Sequence, residues 1–146
     1  GTQGNGAQGD LAPDSRAQSD GPSKIVNIAL SNNGQYVASG GDDNIIRVWE
    51  LESGKLIQTL TGHDSLVSDI DFSPDGTLLV SSSYDESLKV WEWARGLPLC
   101  TLEGHAGFVY SVAFTDSGNT LVSGGYDGTV RTWDLTATEN QDCLPL

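Results

Sequence analysis

The sequence has no methionine, two cysteines, and seven lysines and arginines against twenty aspartates and glutamates. Each shortage narrows the field. Two cysteines, Cys100 and Cys143, make no disulfide framework, and two reduced thiols in a cytoplasmic protein are the simpler reading. The shortage of basic residues leaves a formal net charge of −13, and such a surface repels phosphate backbones. Lys24, Arg47, Lys55, Lys89, Arg95 and Arg131 are spread along the chain rather than gathered into a patch, so nucleic acid is not expected as a partner. No apolar run approaches the roughly 18 residues that span a bilayer as a helix, so no membrane insertion is expected. The first twenty residues also lack the apolar centre of a secretory signal.

What the chain does have is glycine, 18 residues of it, in a length of 146 with 37% hydrophobic residues. That mixture suits a turn-rich β protein, because glycine weakens helices and supplies tight turns. Residues 1–22 are Gly-, Gln-, Asp- and Ser-rich, with Leu11 the one large aliphatic residue, and read as a flexible tail or linker. From residue 23 the chain repeats itself. Trp49, Trp91 and Trp133 are spaced by 42 residues, as are Ser39, Ser81 and Ser123, Asp43, Asp85 and Asp127, and the pairs Gly62-His63 and Gly104-His105. Three copies, about 23–63, 64–105 and 106–146, align without a gap.

Within a copy, short runs of apolar and β-branched residues alternate with Gly, Pro, Asp and Ser. The second reads LVSDIDF, SPDG, TLLVSSS, YDES, LKVWEW, ARG, LPLCTL and GH. In Ser73-Pro74-Asp75-Gly76, proline presets φ and glycine accepts the positive φ that ends a tight turn. Four strands per copy make an antiparallel meander, and a sheet with two apolar faces must be stacked against others. The residues after Trp133-Asp134-Leu135, TATENQDCLPL, lack the apolar pattern of KLIQTL and LPLCTL, so the outermost strand of the last unit is expected to be incomplete.

These features resemble the WD-repeat (WD40) β-propeller family. The resemblance rests on Gly62-His63, Phe72-Ser73-Pro74-Asp75-Gly76, Ser81, Asp85 and Trp91-Glu92. It continues through Gly104-His105, Ser123, Asp127 and Trp133-Asp134, and more loosely through Ser39, Asp43 and Trp49-Glu50, where Gly21 stands at the histidine position. It implies an all-β fold of three four-stranded antiparallel blades, a partial propeller. It also implies a structural tetrad in each blade, linking Trp indole, Ser hydroxyl, His and Asp: Ser39, Asp43 and Trp49, then His63, Ser81, Asp85 and Trp91, then His105, Ser123, Asp127 and Trp133. Ser, His and Asp are also the residues of a hydrolase triad, but catalytic sites are seldom duplicated at a fixed interval, so no enzyme is expected. Neither metal site nor cofactor is expected, since two histidines 42 residues apart lack metal-ligand spacing and Gly40-Gly41 and Gly124-Gly125 precede no helix.

By the same resemblance, partners would contact positions three and five residues after the histidine and the residue before the aspartate. These are Lys24, Val26 and Asp42, then Leu66, Ser68 and Tyr84, then Phe108, Tyr110 and Tyr126. The expected function is a non-catalytic scaffold for proteins or peptides. Propellers have about four to eight blades, so three call for completion, either by further blades of a longer parent or by self-assembly, a dimer being preferred to a trimer. A unit whose one partner is itself, and a hydrolase using a repeated Ser/His/Asp set, are the competing readings.

Overall fold

The computed structural model describes Leu11 and residues 23–145. Apart from Leu11, the expected tail over residues 1–22 lies outside the described residues. The described residues are strand and turn apart from two short 3-10 segments, Trp93–Arg95 and Thr138–Cys143. The first sheet is β1 (Ile25–Leu30), β2 (Tyr36–Gly41), β3 (Ile46–Glu50) and β4 (Leu56–Leu60), in that order and antiparallel throughout. The second repeats it with β5 (Val67–Phe72), β6 (Leu79–Ser83), β7 (Ser87–Glu92) and β8 (Leu97–Glu103). The third has β9 (Val109–Phe114), β10 (Thr120–Gly125) and β11 (Val130–Asp134), and among the described residues no fourth strand.

One turn serves all three blades between their first two strands. The amides of Gly34, Gly76 and Gly118 donate to the carbonyls of Ser31, Ser73 and Thr115, each at 2.9 Å, with φ of +74°, +79° and +76° at the glycines. That backbone conformation is costly for any residue with a Cβ. A second use of glycine is close approach. At Gly41 a Cβ would stand 2.2 Å from the Lys24 carbonyl oxygen, and at Gly125 2.6 Å from that of Phe108. The paired glycines therefore let the link entering the innermost strand cross tightly over the end of the second.

The blades are joined face to face by apolar side chains. Val67, Ile70 and Phe72 of β5 cluster with Ala38, Ile46, Val48 and Leu60 of the first blade. One repeat later, Val109 and Val112 of β9 and Leu121 of β10 cluster with Val80, Leu88, Val90 and Leu102 of the second. Each such side chain contributes about 1.5–3 kcal/mol when fully buried. The same positions are bare at the two ends. Ile28, the counterpart of Ile70 and Val112, is 65% exposed, and Val130, the counterpart of Ile46 and Leu88, is 77% exposed.

Polar groups stitch the same joints. The Asp69 carboxylate accepts the Val112 amide at 2.9 Å and the Ser111 hydroxyl at 3.2 Å, and Asp71 accepts the Phe114 amide at 2.7 Å. Burial pushes the Asp71 carboxyl up from its ordinary value, the Phe114 amide pulls it down, and the neighbouring Asp69 charge adds to the rise. Between the first two blades the Asn27 amide nitrogen donates to the Val67 carbonyl at 2.9 Å.

After Leu135 the chain forms a 3-10 segment, Thr138–Cys143, rather than an outer strand. It lies against β8 of the second blade, where Cys143 is buried and bonded to Cys100, with a Cα separation of 4.9 Å. The expectation of two reduced thiols is therefore corrected. Positions one repeat apart become neighbours on adjacent blades, and these cysteines are 43 residues apart. Cys143→Ser should lower stability by about 2–4 kcal/mol, read by urea unfolding. Equal midpoints for the oxidised wild type and the variant would show that the bond holds nothing.

Candidate functional site

In the second blade four side chains form one buried chain. The Trp91 indole N–H donates to Ser81 Oγ at 2.9 Å, Ser81 Oγ lies 2.6 Å from His63 Nε2, and His63 Nδ1 lies 2.8 Å from Asp85 Oδ2. A carboxylate only accepts, so Nδ1 carries the hydrogen, and Nε2 of the neutral ring accepts from the serine hydroxyl. Every group is satisfied by its neighbour. The elements that hold it are the link before β5 (His63), β6 (Ser81), the β6–β7 turn (Asp85) and β7 (Trp91). The third blade repeats it, with Trp133 to Ser123 at 2.8 Å, Ser123 to His105 at 2.7 Å and His105 to Asp127 at 3.1 Å.

The aspartates do more than close the chain. Asp85 also accepts the Asp64 amide at 3.1 Å, the Ser87 amide at 3.0 Å and the Ser87 hydroxyl at 2.6 Å. Burial alone would raise its pKa, but the bonds from His63, Ser87 and the Asp64 amide outweigh it, and the carboxyl sits well below the ordinary range. Asp127 is held low as well, chiefly by the amides of Ala106 and Thr129 and the Thr129 hydroxyl. Each aspartate thus fastens the incoming link to the β-turn of its own blade.

The first blade is different. Asp43 pairs with Arg47 Nη2 at 2.9 Å and accepts the Ile45 amide at 3.1 Å. Among the described residues no partner reaches Ser39 Oγ or Trp49 Nε1, although both atoms are buried. Ser39, Asp43 and Trp49 are thus not joined as their counterparts are. Arg47, the counterpart of Lys89 and Arg131 in the repeat, takes the aspartate.

The rim above these chains carries the other candidate residues. Tyr84 and Phe108 stack with centroids 4.2 Å apart and planes 5° from parallel. Tyr110 meets Tyr84 edge-on at 5.8 Å, and Tyr126 lies 6.0 Å from Phe108. Four rings from two blades form one row, in which Phe108, Tyr110 and Tyr126 are exposed and Tyr84 half-buried. Tyr126 rests on Gly107, where a Cβ would meet its ring at 3.2 Å. The remaining positions are not part of this row. Leu66 is half-buried, its carbonyl accepting the Tyr84 amide at 3.0 Å. Ser68 turns into the joint, bonding Ser82 Oγ at 2.8 Å and the Val109 carbonyl. Lys24 and Val26 are exposed in the first blade, where the Lys24 amide donates to Asp42 at 2.9 Å. Sequence reasoning passed over Trp93, whose indole donates to the Gly76 carbonyl at 2.8 Å and whose ring packs on Tyr36 and Phe72.

Two outcomes follow. Ser81→Ala strips a buried indole and a buried imidazole of their shared partner and should cost about 2–3 kcal/mol, whereas Ser39→Ala should cost under about 1 kcal/mol. Chemical denaturation measures both, and equal losses would contradict the difference between the blades. The low Asp85 and Asp127 carboxyls add stability that is complete above the ordinary aspartate range. That stability is lost as pH falls through that range toward their folded values. Melting temperature should therefore hold from neutrality to about pH 5 and drop below it, with a smaller drop in Asp85→Asn.

The model of the family described as WD domain, G-beta repeat matches residues 16–50, 54–92 and 96–134. Among curated proteins, the Nuclear distribution protein PAC1 of Scheffersomyces stipitis is 43% identical over 51 residues, covering 31% of this chain and 10% of its own. The U3 small nucleolar RNA-interacting protein 2 of Mus musculus is 37% identical over 67 residues, 46% of this chain and 13% of its own. The General transcriptional corepressor TUP1 of Saccharomyces cerevisiae is 31% identical over 48 residues, 33% of this chain and 7% of its own. The chain thus spans about a tenth of the length of the relatives it matches. Repeats, strand order and matched residues together place the chain in the WD domain, G-beta repeat family.

Proposed function

We propose that this chain is a non-catalytic scaffold that presents the Tyr84, Phe108, Tyr110 and Tyr126 rim to a protein or peptide. The observation that carries the reading is the continuous row of rings, three of them exposed, on one edge of two adjacent blades. Large exposed aromatics cluster at recognition sites, where they supply buried area at low entropic cost. Asp42 and Leu66, at the matching repeat positions, are assigned as minor contacts in this reading. The two complete polar chains act as structural tetrads in this reading. Ser81 and Ser123 are buried and already engaged by an indole and an imidazole, which leaves no room for the acyl group a hydrolase must hold.

Replacing Phe108, Tyr110 and Tyr126 with Ala should leave the melting temperature within a few degrees and abolish capture of the partner. An unchanged set of captured proteins would retire the reading. A DNA or RNA partner is disfavoured by the charge of −13. Among the described residues no helix is long and apolar enough to cross a membrane. A cytoplasmic location is disfavoured by the Cys100–Cys143 bond, since reducing compartments keep thiols in the reduced form.

A second reading, that copies of the chain complete one another, is favoured by the bare terminal faces. Ile25, Ile28 and Leu30 at one end and Val130 at the other are counterparts of residues that fill the two joints within the chain. The contact would be head-to-tail, and two chains give a six-bladed ring. Sedimentation should give a uniform dimer on this reading. A monomer would mean that blades of a longer parent cover those faces.

A further inference from the structure

We propose that the aromatic rim binds a cationic segment, an exposed arginine-bearing peptide, rather than an apolar or acidic one. The proposal rests on the reading of the rim as the partner-binding surface and names the chemistry that surface selects. Two structural features converge on it.

The first is the ring geometry. Tyr84 and Phe108 are stacked on each other, so their shared faces are used. Tyr126, 70% exposed and set at 54° to Phe108, and Tyr110, 45% exposed, remain open. An open phenol ring seated on a glycine is a rigid platform, and a planar guanidinium stacks on such a platform with its charge against the electron-rich face. A purely apolar ligand would not use that face and would leave three tyrosine hydroxyls to be desolvated.

The second is the charge around the rings. The rim is built from residues 61–66, 83–87, 103–108 and 125–129, and these four segments contain Asp64, Asp85, Glu86, Glu103 and Asp127 but no lysine or arginine. Two cations reach them from β7 and β11, with the Lys89 stem against Gly62 and the Arg131 guanidinium against Gly104. The two histidines among them are buried in the polar chains. Glu86 and Asp64 are exposed, and Glu86 sits at φ +76° on the tip of the β6–β7 turn. The five carboxylates outnumber those two cations, so an acidic partner would meet net repulsion, and a neutral one would gain nothing from the field. A cation gains both the ring faces and the carboxylates, and the field also draws it in.

The test titrates the intact chain by calorimetry with a short peptide of alternating glycine and arginine, and with the same peptide carrying citrulline, a neutral isostere. The arginine peptide should bind at least about five-fold more tightly, the span of one cation–π contact. Phe108→Leu with Tyr126→Leu, which keeps apolar bulk and all carboxylates, should remove that preference. Glu86→Gln with Asp64→Asn should weaken binding and flatten its salt dependence. Equal binding of the two peptides, no binding of the arginine peptide, or undiminished binding to the leucine variant would each overturn the proposal. If one of these occurs while the alanine replacements still abolish partner capture, the rim remains a partner site and only the cationic ligand is wrong. If capture also survives, both readings fall.

Discussion

Everything in this protein depends on one constraint: each small sheet is apolar on both faces and needs a neighbour's face to bury them against. Val67, Ile70 and Phe72 reach back into the first blade, and Val109 and Val112 repeat the move one blade later. The middle blade is covered on both sides, and its strands β6 and β7 are buried at nearly every position. The terminal blades have one covered face each, which is why Ile28 and Val130 stand in solvent while their counterparts are fully buried. A single four-stranded sheet of this size has too little core of its own to offset the entropy of ordering the chain.

Polar chemistry is fitted into that apolar framework wherever the chain changes direction. The Trp-Ser-His-Asp chains tie a turn, a strand and an incoming link together, and their parts are buried or half-buried and mutually satisfied. Such a network is stable when complete and costly when a member is missing. The first blade shows the alternative, in which Arg47 takes the aspartate. The rim rings emerge directly above these chains, because Tyr84 and Tyr126 immediately precede the aspartates that lock the turns. The scaffold and the surface it presents are thus set by adjacent residues.

Much of this was legible in the sequence, because a fixed 42-residue interval registers strands, turns and chain members at once. The glycine turns and the alignment of the Trp, Ser, His and Asp positions were read from that interval. Their joining into polar chains was implied by the family resemblance, and the incomplete outer strand of the last blade was read from its lost apolar pattern. What escaped reading were contacts between blades. They fall at nearly the same separation as the repeat itself: Asn27 to Val67 at 40, Ser68 to Val109 at 41, Asn32 to Pro74 at 42 and Phe114 to Asp71 at 43. Cys100 and Cys143, 43 apart, obey the same rule, so the signal for the disulfide was present but was read as a count of cysteines rather than as a register. Trp93 escaped for another reason: it occurs in one blade only, with Leu51 and Leu135 at its counterpart positions, so no periodicity marks it. Arg47 does recur, as Lys89 and Arg131, but these basic residues were weighed only as a charge distribution along the chain.

The most direct test of the central constraint is thermal melting of the middle blade alone, residues 61–103, followed by circular dichroism beside the intact chain. The account requires that the excised sheet, stripped of both neighbours, show no cooperative transition and no stable strand signal, while the intact chain melts sharply. A cooperative transition in the excised blade near that of the whole would contradict it.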